Sequence, residues 1–210
     1  MTFVHRGESL RWDREGHTLV VQLDQEPCNE IGSTMLDELE YLASYVREGA
    51  DEARAIVFTS ARKEGFSAGA DLRELHANLE KAYEARKAFA KDVAGRVNPV
   101  PIPLSNVRRM IMPQARQAAR QVADAIQVRP LRRFLNRIHR VFDTFDTTPL
   151  TTVAAVHGVC FGGGFELALT CDVIVADSTA RFAFPELRLG LIPGFGGIPR
   201  LNRDVGNAVV

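Results

Sequence analysis

Thr152-Val153-Ala154-Ala155-Val156-His157-Gly158-Val159-Cys160-Phe161-Gly162-Gly163-Gly164-Phe165-Glu166-Leu167 reads as a buried strand that runs through a triple glycine into a helix. Thr152 to Val156 is a short apolar run bounded by turn residues, the pattern of a strand covered on both faces. The glycines break it, and the chain resumes with helix formers as far as about Thr170. The same punctuation recurs on either side. Ala55-Ile56-Val57-Phe58-Thr59 is a buried strand that leads through Gly65-Phe66-Ser67-Ala68-Gly69-Ala70-Asp71-Leu72, a loop entering a helix. Asp172-Val173-Ile174-Val175-Ala176 is a third strand. Strand, loop and helix in alternation imply an α/β core.

Working outward, Ser9 to Arg14 and Thr18 to Leu23 read as two strands joined by a turn at Arg14-Glu15-Gly16-His17. Ser33 or Thr34 is placed to cap a helix running to about Val46, with Leu36, Leu39, Leu42, Ala43 and Val46 on one face. Trp12 reads as packing. Between the blocks at 55–72 and 152–167 lies a long arm, residues 74–145. Glu74 to Ala94 reads as helix, the alternating prolines Pro99, Pro101 and Pro103 end it, and two further helices are expected at Val107–Val128 and Leu131–Phe145.

A chain of 210 residues is long enough for one substantial core, and a single domain over 1–210 is expected. Basic and acidic residues balance at 26 each, so overall charge points to no partner, nucleic acid included. The distribution is uneven: residues 107–140 hold nine arginines and one acid, Asp124. Cys28, Cys160 and Cys171 are scattered without metal-ligand spacing and read as free thiols of a reducing compartment, with no metal site. No apolar run reaches the length needed to cross a membrane, and the N-terminus shows no apolar leader core, so a cytoplasmic protein is expected.

The chemistry concentrates in the glycine-rich blocks. Glu166 stands just after the triple glycine, and Glu186 stands in Phe184-Pro185-Glu186-Leu187-Arg188-Leu189-Gly190-Leu191-Ile192-Pro193-Gly194-Phe195-Gly196-Gly197. Carboxylates in apolar settings have costly ionised forms, so their proton affinities are tunable, as acid/base work at neutral pH requires. Glycines ahead of a helix let the backbone approach a ligand, and the free N–H groups there suit an oxygen that gains negative charge. A tight packing turn accounts for the glycines equally well. The spacing is not that of a dinucleotide loop. Gly65-Phe66-Ser67-Ala68-Gly69 matches the nucleophile elbow of serine hydrolases, with Asp143 and His157 in the right order to complete a triad, but nothing local supports those roles. His157 reads as structural.

Phe66–Leu72, Gly162–Leu167 and Pro185–Leu201 together resemble the three signature regions of the enoyl-CoA hydratase/isomerase (crotonase) family, in the family's order. The resemblance covers residues 8–72 and about 131–201 and implies a spiral of ββα units. It implies that the N–H groups of Ala68 and Gly163 polarise an acyl-thioester carbonyl, and that Ala68-Gly69-Ala70-Asp71 lines the thioester and pantetheine end. Glu166 and Glu186 would flank a water that the Gly194 N–H helps to hold. Relatives that keep one glutamate run other reactions, so the presence of both favours hydration of 2-enoyl thioesters or the reverse dehydration of 3-hydroxyacyl thioesters. No cofactor is implied beyond the coenzyme A of the substrate. A double-bond isomerase and a non-catalytic acyl-thioester-binding subunit are the alternatives.

Two departures from the family pattern bear on partners. The 91 positions from Asp71 to Gly162 exceed the family's spacing, so residues about 78–130 read as an insertion whose arginines are either a solvated face or a binding surface for phosphate, on coenzyme A or on an acyl carrier protein. The sequence also stops soon after Arg200-Leu201, where relatives continue with helices that cover the site and build trimers. A homo-oligomer, trimer or hexamer, is what the resemblance implies, with either a fragment or a covering role for the arm explaining the missing helices.

Overall fold

The structure is a computed structural model that describes residues 5–96 and 130–206. These fall into two compact units, one made of the residues up to Asp71 with those from Leu135, the other of Leu72 to Phe134. In the second unit α2 (Leu72–Arg96) realises the helix expected from Glu74. The expected helix at 107–128 and the proline break at 99–103 lie outside the described residues.

The first unit carries the sheets. Strands β1 (His5–Arg6), β2 (Leu10–Glu15), β3 (Thr18–Leu23), β4 (Ala55–Ser60), β6 (Thr151–Val156) and β8 (Val173–Ala176) form one sheet, in the order β1-β2-β3-β4-β6-β8. The first three pair antiparallel and the rest parallel. A second sheet, all parallel, holds β5 (Gly65–Ser67), β7 (Val159–Phe161) and β9 (Arg181–Ala183). Each strand of the large sheet from β4 onward is succeeded within a few residues by a strand of the small one. The three pairs lead to α2, to α4 (Gly163–Ala168) and, after a 3₁₀ turn at Pro185–Leu189, to α5 (Gly197–Val205). This is the spiral of ββα units expected for a crotonase fold.

The residues that build the core do so by period. Leu19, Val21 and Leu23 alternate inward along β3. On α1 (Ser33–Arg47) the expected face of Leu36, Leu39, Leu42, Ala43 and Val46 is buried, together with Met35. The cap differs from expectation: Gly32 is the N-cap and no side chain bonds there, so neither Ser33 nor Thr34 fills that role. A helix over 130–147, α3, buries Ile138, Val141, Phe142 and Phe145 at helical spacing. Its Phe145 meets Phe58 of β4 edge-on at 5.1 Å, and its Phe142 meets Phe195 at 5.9 Å, contacts that add about 0.5–1.5 kcal/mol each beyond area burial. Trp12 is buried, as expected. No helix among the described residues is long and apolar enough to cross a membrane.

Candidate active site

Gly65–Ser67, expected to be loop, is strand β5, drawn into the small sheet by pairing with β7. The chain leaving β5 is fixed from a distance by Asn29, a buried residue at positive φ. Its Nδ2 donates to Phe66 O and to Ser60 Oγ, both at 2.8 Å, while its own carbonyl accepts the Ser67 hydroxyl at 2.7 Å. Ser67 Oγ in turn accepts the Gly69 N–H at 3.1 Å. Ser67 is fully buried, so its hydroxyl serves the loop and is no nucleophile. The other members of the elbow reading are also engaged elsewhere: Asp143 pairs with Arg200 at 2.8 Å, and His157 Nε2 donates to Arg62 O at 2.7 Å.

Beyond Ser67 the backbone alternates its bonds. Ala68 N–H donates to Cys28 O at 2.8 Å, and Asp71 N–H donates to Ile31 O at 3.1 Å. Ile31 and Ala70 form a parallel bridge in which Ile31 N–H donates to Gly69 O at 2.7 Å. The Ala68 N–H, expected to face a substrate carbonyl, is therefore already bonded within the protein. In a parallel bridge the residue between the two bonded peptides turns its own N–H the other way. That residue is Ala70, whose N–H finds no acceptor among the described residues. Its nitrogen lies 3.4 Å from where a Cβ on Gly163 would stand.

The triple glycine is required by three different neighbours. A Cβ on Gly162 would stand 2.6 Å from Glu186 Oε1, one on Gly163 would stand 2.5 Å from Phe195 Cε2, and one on Gly164 would stand 2.5 Å from Ser67 Cβ. Gly162 precedes α4 at a positive φ, and Gly163 opens the helix, where an N–H has no intrahelical partner. Gly163 N–H, like that of Ala70, is unpaired among the described residues. Packing alone therefore requires all three of these glycines.

Both glutamates reach this turn. Glu166, on the first turn of α4, is 1% exposed. Its Oε1 accepts the N–H groups of Phe195 at 2.8 Å and Gly197 at 2.7 Å. Burial pushes its proton affinity up. The two N–H donors and the Arg200 guanidinium pull it back, and the charge of Glu186 adds to the rise. Glu186 comes from the 3₁₀ turn and sets its carboxylate against Gly162. Burial raises its proton affinity too, offset only by its own backbone N–H, and its Oε2 is buried without a partner among the described residues. Gly194 accepts a bond from His139 Nε2 at 2.7 Å on its carbonyl. The three cysteines are free and buried, and burial raises each thiol, so none is poised as a nucleophile. Among the described residues no group of three His, Cys, Asp or Glu is arranged to hold a metal ion.

Residues 119–210 match the family model described as enoyl-CoA hydratase/isomerase. Over those 92 residues the chain is similar to this family. The short-chain-enoyl-CoA hydratase of Clostridium acetobutylicum is 29% identical over 195 residues, 92% of this chain and 56% of that protein. The fatty acid oxidation complex subunit alpha of Idiomarina loihiensis is 51% identical over 75 residues, 36% of this chain and 10% of that protein. Among solved structures, an enoyl-CoA hydratase from Bacillus anthracis superposes with a TM-score of 0.63 at 25% identity, over 95% of this chain and 59% of that one. The chain thus spans about half or less of the curated relatives it matches. Sequence alone gives Phe195, Gly197 and Arg200 no role beyond membership of a signature block. What they touch depends on a loop closing onto α4 from thirty residues away, which no local pattern encodes.

Proposed function

We propose that the chain adds water to 2-enoyl thioesters, or removes it from 3-hydroxyacyl thioesters. The observation that carries this is the meeting of a buried carboxylate, Glu166, and a half-buried one, Glu186, at a turn where the Ala70 and Gly163 N–H groups stand unpaired among the described residues. A thioester oxygen between those donors takes up negative charge as water adds to the β-carbon, and each such donor is worth about 3–4 kcal/mol to the barrier. Glu166, whose anion is held by two N–H groups and faces Arg200, is the base that takes the water's proton. Glu186, half-buried and with only its own backbone N–H as donor, is the acid that gives a proton to the α-carbon. The proton taken and the proton given balance, and the product is the 3-hydroxyacyl thioester.

The test measures hydration of crotonyl-CoA by loss of the conjugated-enoyl absorbance, in the wild type and in Glu186→Gln. General acid catalysis is worth about 10²–10⁴-fold, and a loss of that size is expected. Equal rates would defeat the assignment. Product formed from a 3-enoyl thioester without oxygen from labelled water would make the chain an isomerase, and tight coenzyme A binding without turnover would make it a binding subunit.

A further inference from the structure

The backbone from Phe195 to Gly197 has Glu166 on one side and a guanidinium on the other. Arg200, on the first turn of α5, is 7% exposed and directs all three of its nitrogens to fixed acceptors. Nη1 donates to Phe195 O at 2.9 Å, Nη2 donates to Asp143 Oδ1 at 2.8 Å, and Nε donates to Asp146 Oδ2 at 3.2 Å. Phe195 is the residue whose N–H reaches Glu166 Oε1. Gly196, between the two donors, is left-handed, and a Cβ on it would stand 2.4 Å from Nη1, so the guanidinium lies directly on the loop. The two aspartates come from α3, and Asp146 is shared with Arg203 at 2.7 Å.

A buried ion pair is a poor source of stability, since apolar packing of similar volume does as well. What an apolar side chain cannot do is hold the Phe195 carbonyl by a rigid fork and leave a positive charge beside a buried carboxylate. We propose that Arg200 is a positioning residue, which pins the Phe195–Gly197 backbone so that both N–H donors stay on Glu166 Oε1 and keep that carboxylate available as an anion. The inference rests on the proposed function in taking the ionised Glu166 as the working form. The charged groups that act on Glu166 are Glu186, from the 3₁₀ turn, and Arg200 itself, from α5; Asp143 and Asp146 of α3 face the guanidinium.

The test reads Glu166 directly, without turnover. The protein is labelled at the glutamate carboxyl carbons, the Glu166 signal is assigned by its absence in Glu166→Gln, and its titration is recorded by NMR in wild type, Arg200→Met and Arg200→Lys. Arg200→Met is expected to move the midpoint upward by about one pH unit, a tenfold change in proton affinity, because the charge and the fork are both lost. Arg200→Lys keeps the charge, serves as the readout should the methionine variant fail to fold, and is expected to move it upward by about threefold in proton affinity. A folded variant that melts lower but titrates as wild type overturns the proposal. If wild type fails to hydrate crotonyl-CoA, the proposed function falls while the titration still decides the role of Arg200.

Discussion

The Cys28 carbonyl accepts the Ala68 N–H at 2.8 Å, and that bond removes Ala68 from the free N–H groups of the 66–71 stretch. With Ala68 tied back, an N–H left unpaired among the described residues is two residues on, at Ala70, beside Gly163. Gly69 is what allows the approach. It sits at φ +97°, and a Cβ there would stand 2.7 Å from Phe161 O and 3.0 Å from Gly163 N, both backbone atoms that cannot swing aside. Gly69→Ala is therefore expected to part the two donors. Loss of one such donor typically costs about 10²–10³ in kcat, and a fall of that order on crotonyl-CoA is expected. A kcat within threefold of wild type would mean that the donors lie elsewhere.

Ser67 allows a second separation, of structure from chemistry. Its hydroxyl donates to Asn29 O and accepts from Gly69 N–H, both inside the core. Ser67→Ala leaves the Asn29 carbonyl and the Gly69 N–H without that partner, at a cost of about 1–3 kcal/mol in stability. The variant should melt lower and, below its melting point, hydrate at a rate within a few-fold of wild type. Covalent labelling of Ser67 by a fluorophosphonate would revive the hydrolase reading.

The parts of this architecture with a clear period were legible from the residues. The alternation of β3 and the apolar face of α1 each name their own burial, so Thr18–Leu23 and Leu36–Val46 are placed by the residues alone. The second sheet could not. Its strands β5, β7 and β9 are three residues each, too short to show a period, and they gain identity only by pairing with one another. The choice between Ala68 and Ala70 is of the same kind. Both are alanines in one motif, and what separates them is a bridge to Ile31 almost forty residues upstream. Likewise, the resemblance names Glu166 but not the loop at 195–197 that holds it, because that contact is tertiary.

The arginine-rich segment offers an electrostatic test that needs no knowledge of the chemistry. Arg132 and Arg133 are exposed. If they meet the phosphates of coenzyme A or of a carrier's phosphopantetheine arm, neutralising both raises KM about two- to thirtyfold at low ionic strength, since exposed pairs are worth about 0.2–1 kcal/mol each. The same change should flatten the rise of KM with salt, because the Debye length is only about 10 Å at 0.1 M. A KM that responds to salt as wild type does would leave these arginines as a solvated face.

Glu186 carries a prediction that links stability to pH. Its Oε2 is buried with no partner among the described residues, and burial raises its proton affinity above the value of 4.5 that an unfolded chain would show. A carboxyl whose folded-state proton affinity is raised contributes its full stability below the unfolded value. That contribution is lost as the pH rises through the folded value, because the folded protein then bears an ion that the unfolded chain would solvate better. Glutamine at this position cannot ionise. Glu186→Gln should therefore melt above wild type at pH 8, by about 2–4 °C for each kcal/mol released in a chain of this size. The difference should shrink as the pH falls toward 4.5. Greater stability with loss of hydration would mark the ionisable group as one retained for chemistry at a cost to the fold. A variant that melts at or below wild type at pH 8 would show that the Glu186 carboxylate has a stabilising partner in solution, and its assignment as the unassisted acid would fail.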